Sequence, residues 1–284
     1  MTSHDVVERV RRTIRERRIG HTGTLDPLAT GVLVLCVGKA TRIAQYLEAG
    51  EKEYKAVMRL GSTTDTLDAE GRVLQTTPYS PPARHVIIES LQGFTGPIMQ
   101  RPPAYSAIKV AGVPSYKLAR EGHVEPHKPR PVHIYGIDLT DYEDPLVSLT
   151  VQCSKGVYIR TLCADIGDTL GMGAHLVKLE RTRSGNFRLE RAITLDQLAD
   201  MTAANTLENA LMPIDEALAD LPLVPISAAD AVRVLHGNQV PCPGSFGSST
   251  NNLVRLHGPA GTLLALARVV AGVLRPDMVF SSPT

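Results

Sequence analysis

The stretch KEYKAVMRLG, Lys52–Gly61, alternates with period two: Tyr54, Ala56, Met58 and Leu60 fall on one side, Lys55, Val57 and Arg59 on the other. That periodicity predicts a strand with one face inward and one face charged, the mark of a sheet with a solvated side. Working outward, GVLVLCVG (Gly31–Gly38) is too short and too β-branched for a helix and reads as a buried strand; KATRIAQYLEAG reads as an amphipathic helix ended by Gly50. The chain opens with TSHDVVERVRRTIRERR, where Thr2 and Asp5 form a capping box and Val6, Val7, Val10 and Ile14 share one helix face. Beyond the loop TTPYSPPAR, a helix is predicted near Val86–Phe94, strands near Val132–Leu139 and Leu146–Cys153, and a helix from about Tyr158 to Gly171. Strands and helices mix without a βαβ rhythm. The expected class is α+β, with a mixed, largely antiparallel sheet.

The 284 residues, 43% of them hydrophobic, suffice for more than one domain. No secretory n-region and h-region open the chain, and the longest apolar stretches, GVLVLCV and LLALARVVAGVL, are short or broken by Arg268, so a cytoplasmic protein without a membrane segment is expected. Cys36, Cys153, Cys163 and Cys242 are scattered without a C-x-x-C pair and read as reduced core residues, with no metal site among them. Net charge is only +1, yet it is unevenly spread. Residues 1–22 carry six Arg against three acids, residues 101–135 six Lys or Arg against two, and residues 155–191 seven against four. Residues 192–222 carry six acids and no Lys or Arg. Basic segments converging on one face would neutralise phosphates; taken singly, each is also compatible with a solvated face.

Upstream of the opening strand lies RRIGHTGTLDPLATG, Arg17–Gly31, with one Asp among small residues. Gly20, Gly23 and Pro27 make it a loop, and Pro27 keeps Asp26 out of helical dihedrals. By itself Asp26 reads either as a turn residue capping nearby amides or as a reactive group that the glycines let a ribose-phosphate chain approach.

Four blocks occur in order: GHTGTLDPLATG, KEYKAVMRLGSTTDTLDAEG, RPPAYSAIKVAGVPSYKLAREG and CSKGVYIRTLCADIG. Together they resemble the bacterial TruB family of tRNA pseudouridine synthases, which isomerise the uridine at position 55 in the T-arm loop of tRNA. The match is dense over Thr2–Gly38, Lys52–Val73, Arg101–Gly122 and Gln152–Phe187, and weak beyond Arg191. The resemblance implies that Asp26 is the catalytic aspartate, that Arg160 in KGVYIRT is the cation holding it ionised, and that Tyr54 packs the flipped uracil. It implies that His21 fills the space the base vacates or lies beside the remaining bases, with Asp68 as a polar contact, Tyr158 beside Arg160 and Leu179 as pocket wall. A flat tyrosine face is worth about 1 to 3 kcal/mol per stacked base. Tyr54 is equally readable as a core aromatic, and His21 as a loop hydrogen-bond donor.

By the same resemblance, residues 1–222 form the catalytic domain, with a basic insertion near 101–130 that clamps the T-arm through Lys109, Lys117 and Arg120; residues 223–284 form a small, mainly β, PUA-like RNA-binding domain. The partner implied is tRNA, with no metal, cofactor, membrane or obligate protein partner. Family members usually open with a strand carrying Asp-Lys-Pro-x-Gly ahead of the Thr-Ser found here as Thr2-Ser3, so this chain is expected either to start from an internal Met or to lack that strand. Two other readings compete: a non-catalytic tRNA-binding or tRNA-folding protein, and a retaining glycosidase pairing Asp26 with a second carboxylate. The second fits poorly with 4% aromatics and no Trp.

Overall fold

The computed structural model describes residues 1–106, 108–110, 112–122, 127–244 and 252–280; the side chains of Pro114 and Arg120, the latter expected in the basic insertion, lie outside the described ones. Two compact units divide the chain, residues 1–210 and 211–284.

In the first unit, helix α1 (Ser3–Ile14) begins at the expected capping box, with the Thr2 hydroxyl accepting from the Asp5 amide and the Asp5 carboxylate from the Thr2 amide. Val7 and Val10 on its inner face pack with Ile19 and Leu198. Strands β1 (Ile19–Thr22) and β3 (Val34–Val37) form an antiparallel pair, and β2 (Thr30–Gly31) lies between them in sequence. The segment expected as one amphipathic helix up to Gly50 is instead a 3-10 turn over Gly38–Ile43 followed by a five-residue helix α2 (Ala44–Glu48). Its C-terminal carbonyls are held by a side chain, since Lys52 Nζ donates to Glu48 O at 2.7 Å and Gly50 O at 2.6 Å.

β4 (Lys52–Leu60) has the predicted inward face, with Tyr54, Ala56, Met58 and Leu60 all buried. The hairpin β5 (Ser62–Thr64) and β6 (Val73–Thr76) follows, then α3 (Arg84–Gln92), which buries Ile87 and Leu91, and β7 (Gly96–Gln100). The basic insertion contributes a short hairpin, β8 (Lys109–Val110) and β9 (Val113–Pro114), and helix α4 (Ser115–Arg120). β10 (Arg130–Glu143) and β11 (Leu146–Cys153) match the two expected strands, β10 running longer at both ends. Helix α5 (Ile159–Thr169) then leads into β12 (Ala174–Ser184), β13 (Phe187–Arg188) and α6 (Leu195–Ala203).

The central sheet has the order β13-β12-β4-β11-β10-β7, antiparallel along this path, with β2 added in parallel to β12. Its buried face, covered by α3 and α5, carries Tyr54, Met58, Leu149, Val151, Leu176 and Leu179, packed with Leu162 and Ile166 of α5. The architecture is thus the expected α+β with a mostly antiparallel sheet.

The second unit holds α7 (Ile214–Ala217), β14 (Leu223–Pro225), α8 (Ala228–Leu235), β15 (Val240–Pro241), β16 (Leu253–His257), β17 (Leu263–Val270) and β18 (Val273–Val279). Its five strands order as β14-β16-β17-β18-β15 around Val224, Val234, Leu256, Ala265 and Leu274. Arg255 ties α7 to this sheet, donating to the Asp215 carboxylate at 2.7 Å and to Leu221 O at 3.1 Å. Cys36, Cys153 and Cys163 are buried and Cys242 half-buried; all four are free thiols, and burial pushes those of Cys153 and Cys163 up to about 12.

Candidate active site

Asp26 sits in the turn between β1 and β2, where the Ala29 amide donates to its carbonyl at 2.9 Å. α1 supports the loop from below: the Ser3 hydroxyl accepts from the Leu25 amide at 2.9 Å. The carboxylate does not cap local amides. It takes two parallel hydrogen bonds from Arg160, Nε to Oδ2 and Nη2 to Oδ1, both 2.9 Å. This is the fork geometry of a bidentate arginine–carboxylate pair.

Arg160 comes from the first turn of α5, and its placement starts with its neighbour. The Tyr158 backbone is locked by buried Gln100, whose Oε1 accepts from the Tyr158 amide at 2.8 Å while its Nε2 donates to the Tyr158 carbonyl at 3.1 Å. The remaining Arg160 donors are also taken. Nη1 reaches Thr66 O at 3.1 Å and the Asp68 carboxylate at 3.5 Å, and Nη2 reaches Tyr105 O at 3.0 Å. Four hydrogen bonds and one ion pair thus tie the guanidinium to three chain segments. The Arg160 side chain is 5% exposed and that of Asp26 27%. One face of the carboxylate stays open while the cation behind it is sealed.

Asp68, expected as a polar contact, is a buried member of this network. Its Oδ1 accepts from the Thr66 hydroxyl at 2.6 Å and the Glu70 amide at 3.1 Å, and its backbone bridges to Leu176. Tyr54 is buried on β4 beside β12, where burial, the largest effect, raises its hydroxyl above the ordinary range. Leu179 is buried in the same core cluster as Tyr54. His21 is half-buried on β1; its Nδ1 has no partner among the described residues, and burial followed by the nearby Arg181 charge lowers its basicity. The Tyr158 ring lies under the Arg130 guanidinium at 5.9 Å. Lys109 and Lys117 are exposed on the insertion, outside the Asp26 network, although Tyr105 of the same segment touches Arg160.

Three residues escaped the reading of the sequence. Gln100 carried no signal. Lys52 is buried, and its position two residues before Tyr54 in the alternation placed it on the inward face. Arg181 is 1% exposed, though it stands in KLERTRSG, a charged run that reads as solvent-facing. Among the described residues, no group of three or more His, Cys, Asp or Glu side chains could hold a metal ion.

A loop carboxylate clamped by a buried arginine beside a mostly antiparallel sheet makes a candidate enzyme site, and the comparisons with known proteins give its class, the pseudouridylate synthases. The model of the TruB family pseudouridylate synthase (N terminal domain) matches residues 11–159, and that of the tRNA pseudouridylate synthase B C-terminal domain matches residues 160–219. Among curated relatives, tRNA pseudouridine synthase B of Geobacter sulfurreducens is 41% identical over 94% of this chain and 86% of its own length. That of Dechloromonas aromatica is 46% identical over 87% of this chain and 82% of its own. In structure, the chain resembles one in a crystal structure of a Cbf5-Nop10-Gar1 complex, with a TM-score of 0.80 and 30% identity over 99% of this chain and 82% of that one. A chain of an H/ACA RNP bound to a substrate RNA containing 2′-deoxyuridine gives a TM-score of 0.77 at 28% identity, covering 99% of this chain and 82% of that one. The chain belongs to the TruB family of pseudouridine synthases.

Proposed function

We propose that this protein isomerises uridine to pseudouridine in tRNA, at position 55 of the T-arm loop. The observation that carries this reading is the Asp26–Arg160 pair: a carboxylate with one open face, oriented by a buried guanidinium that makes four hydrogen bonds. Breaking the N1–C1′ bond of uridine and rejoining C1′ to C5 moves one proton from C5 to the uracil nitrogen and consumes no co-substrate. A carboxylate suffices, either adding to the nucleoside or removing a ribose proton. The target base is stacked within a folded loop and must be extruded. Tyr54 packs the flipped uracil, Leu179 walls the pocket, His21 occupies the vacated space, and Asp68 and Tyr158 complete the frame around Arg160.

In this reading residues 1–222 are the catalytic domain, with the insertion at 101–130 clamping the T-arm through exposed Lys109 and Lys117, and residues 223–284 are a PUA-like RNA-binding domain containing all five strands of the smaller sheet. No helix among the described residues is long and apolar enough to cross a membrane; action on tRNA, as the names of the relatives have it, points to the cytoplasm.

The test is incubation with an unmodified tRNA transcript and chemical mapping of pseudouridine, with wild type beside Asp26→Asn. Conversion at position 55 by the wild type is expected. Asp26→Asn, which keeps size and loses charge, should bind tRNA as before and react about 10³-fold more slowly or worse. A wild type that converts no uridine would overturn the function, and a fully active Asp26→Asn would overturn the assignment of Asp26.

A further inference from the structure

Arg181 is the bulkiest of the fully buried side chains, yet among the described residues no carboxylate pairs with it. Its neighbour across the β4–β12 ladder is Tyr54, and Lys52, a second buried cation, lies close by. Burial first and Arg181 second press the Lys52 amine down to about 8. Two buried cations side by side, one of them unpaired with any carboxylate among the described residues, are costly, and an apolar side chain of similar volume would fill the space without that cost. A role in packing alone does not account for a guanidinium here.

Its hydrogen bonds do. Nη2 donates to Gly23 O at 3.1 Å, three residues before Asp26, and Nε donates to Val32 O at 2.8 Å, six residues after it. The backbone of Arg181 makes a third tie, its carbonyl accepting from the Val32 amide at 2.8 Å. The charge of the same guanidinium lies close enough to the Tyr54 hydroxyl to offset part of the rise that burial imposes on it. One planar group thus spans both shoulders of the loop that carries the reactive carboxylate, on the strand position paired with Tyr54.

We propose that Arg181 is a positioning residue for the isomerisation, setting the separation of the Asp26 carboxylate from the Tyr54 ring through the fork of its guanidinium. The inference rests on the function proposed above. A lysine in its place keeps the charge but has no rigid fork, and so cannot hold two carbonyls at opposite ends of the loop. Displacement of a catalytic group by about 1 Å costs on the order of 10²-fold in rate.

The experiment compares the full-length wild type, Arg181→Lys, Arg181→Met and Leu149→Ala, the last a buried core truncation elsewhere in the sheet that serves as a control for lost stability. Single-turnover conversion of an unmodified tRNA transcript, tRNA affinity and thermal denaturation are measured, with rates expressed per folded protein. For Arg181→Lys the rate should fall about 30- to 100-fold with affinity within about threefold, while Leu149→Ala loses stability without loss of rate. Three results would each overturn the proposal: Arg181→Lys reacting at the wild-type rate, a rate that falls no further than in Leu149→Ala at equal stability, or both Arg181 variants failing to fold, which would make the residue a folding determinant. Lack of conversion by the wild type would instead overturn the proposed function, so the two failures are distinct.

Discussion

Gly31 lies so close to the backbone of Arg181 that a Cβ at position 31 would stand 2.2 Å from the Arg181 carbonyl oxygen. Its φ of +99° is also one that side chains resist. The close approach follows from the parallel pairing of β2 with β12, which brings the downstream end of the Asp26 loop onto the sheet.

Gly31→Ala must therefore either break the β2–β12 pairing or push the Arg181 strand aside. The expected cost is about 2 to 4 kcal/mol, the range of overpacking combined with backbone strain. Denaturant unfolding of the variant beside the wild type measures it, and an unchanged midpoint would show that the loop does not depend on this contact.

Removing the Arg160 guanidinium leaves Asp26 and Asp68 without their shared cation and the Thr66 and Tyr105 carbonyls without a donor. Arg160→Ala is expected to lose about 3 to 5 kcal/mol of stability, as when one partner of a buried pair is deleted, together with most activity. Arg160→Lys keeps the charge and should be milder in both respects. Thermal melts and single-turnover rates on the two variants check the order; equal damage from both would mean that charge contributes nothing at this position.

If the insertion meets RNA phosphates, tRNA affinity should fall steeply with added salt through counterion release. Reversing the charge of exposed Lys109 and Lys117 should weaken binding and flatten that slope by about two phosphate contacts. Filter binding across a salt series gives the slope, and identical slopes for wild type and variant would make the insertion a merely solvated surface.

Asp165 on α5 offers a pH test. Burial, then the neighbouring Asp168, raises its carboxyl from 3.8 to about 6. The folded state therefore holds a proton that the unfolded chain has already released between those values, and stability should decline as pH rises from about 4 to about 6, staying lower above. Asp165→Asn removes the effect. After allowance for partial solvent screening, the variant should be more stable than wild type by about 1 kcal/mol at pH 7 and no more stable at pH 4. Melting temperatures at the two pH values decide it, and a constant difference would assign the gain to something other than titration.

Much of the molecule follows from local rules that a sequence exposes. Thr2 and Asp5 specify where α1 starts because a capping box closes over four residues. The inward face of β4 is written in its alternation, since side chains of a strand point to opposite sides in turn. Asp26 is recognisably a loop residue because Pro27 forbids it a helix. Assigning Arg160 to it took the likeness to a family, since nothing local links residues 134 positions apart. Beyond the reach of local rules is β12. A register irregularity between Leu176 and Lys178 breaks its period-two pattern, so the inward residues run Ala174, Leu176, Leu179 and Arg181 within a segment rich in charge. Its burial is decided by long-range pairing with β4 and β2, and so is the placing of the Arg181 guanidinium across the Asp26 loop. A charge can be kept out of water only where the fold brings carbonyls to meet it, and which carbonyls those are is a property of the tertiary structure alone.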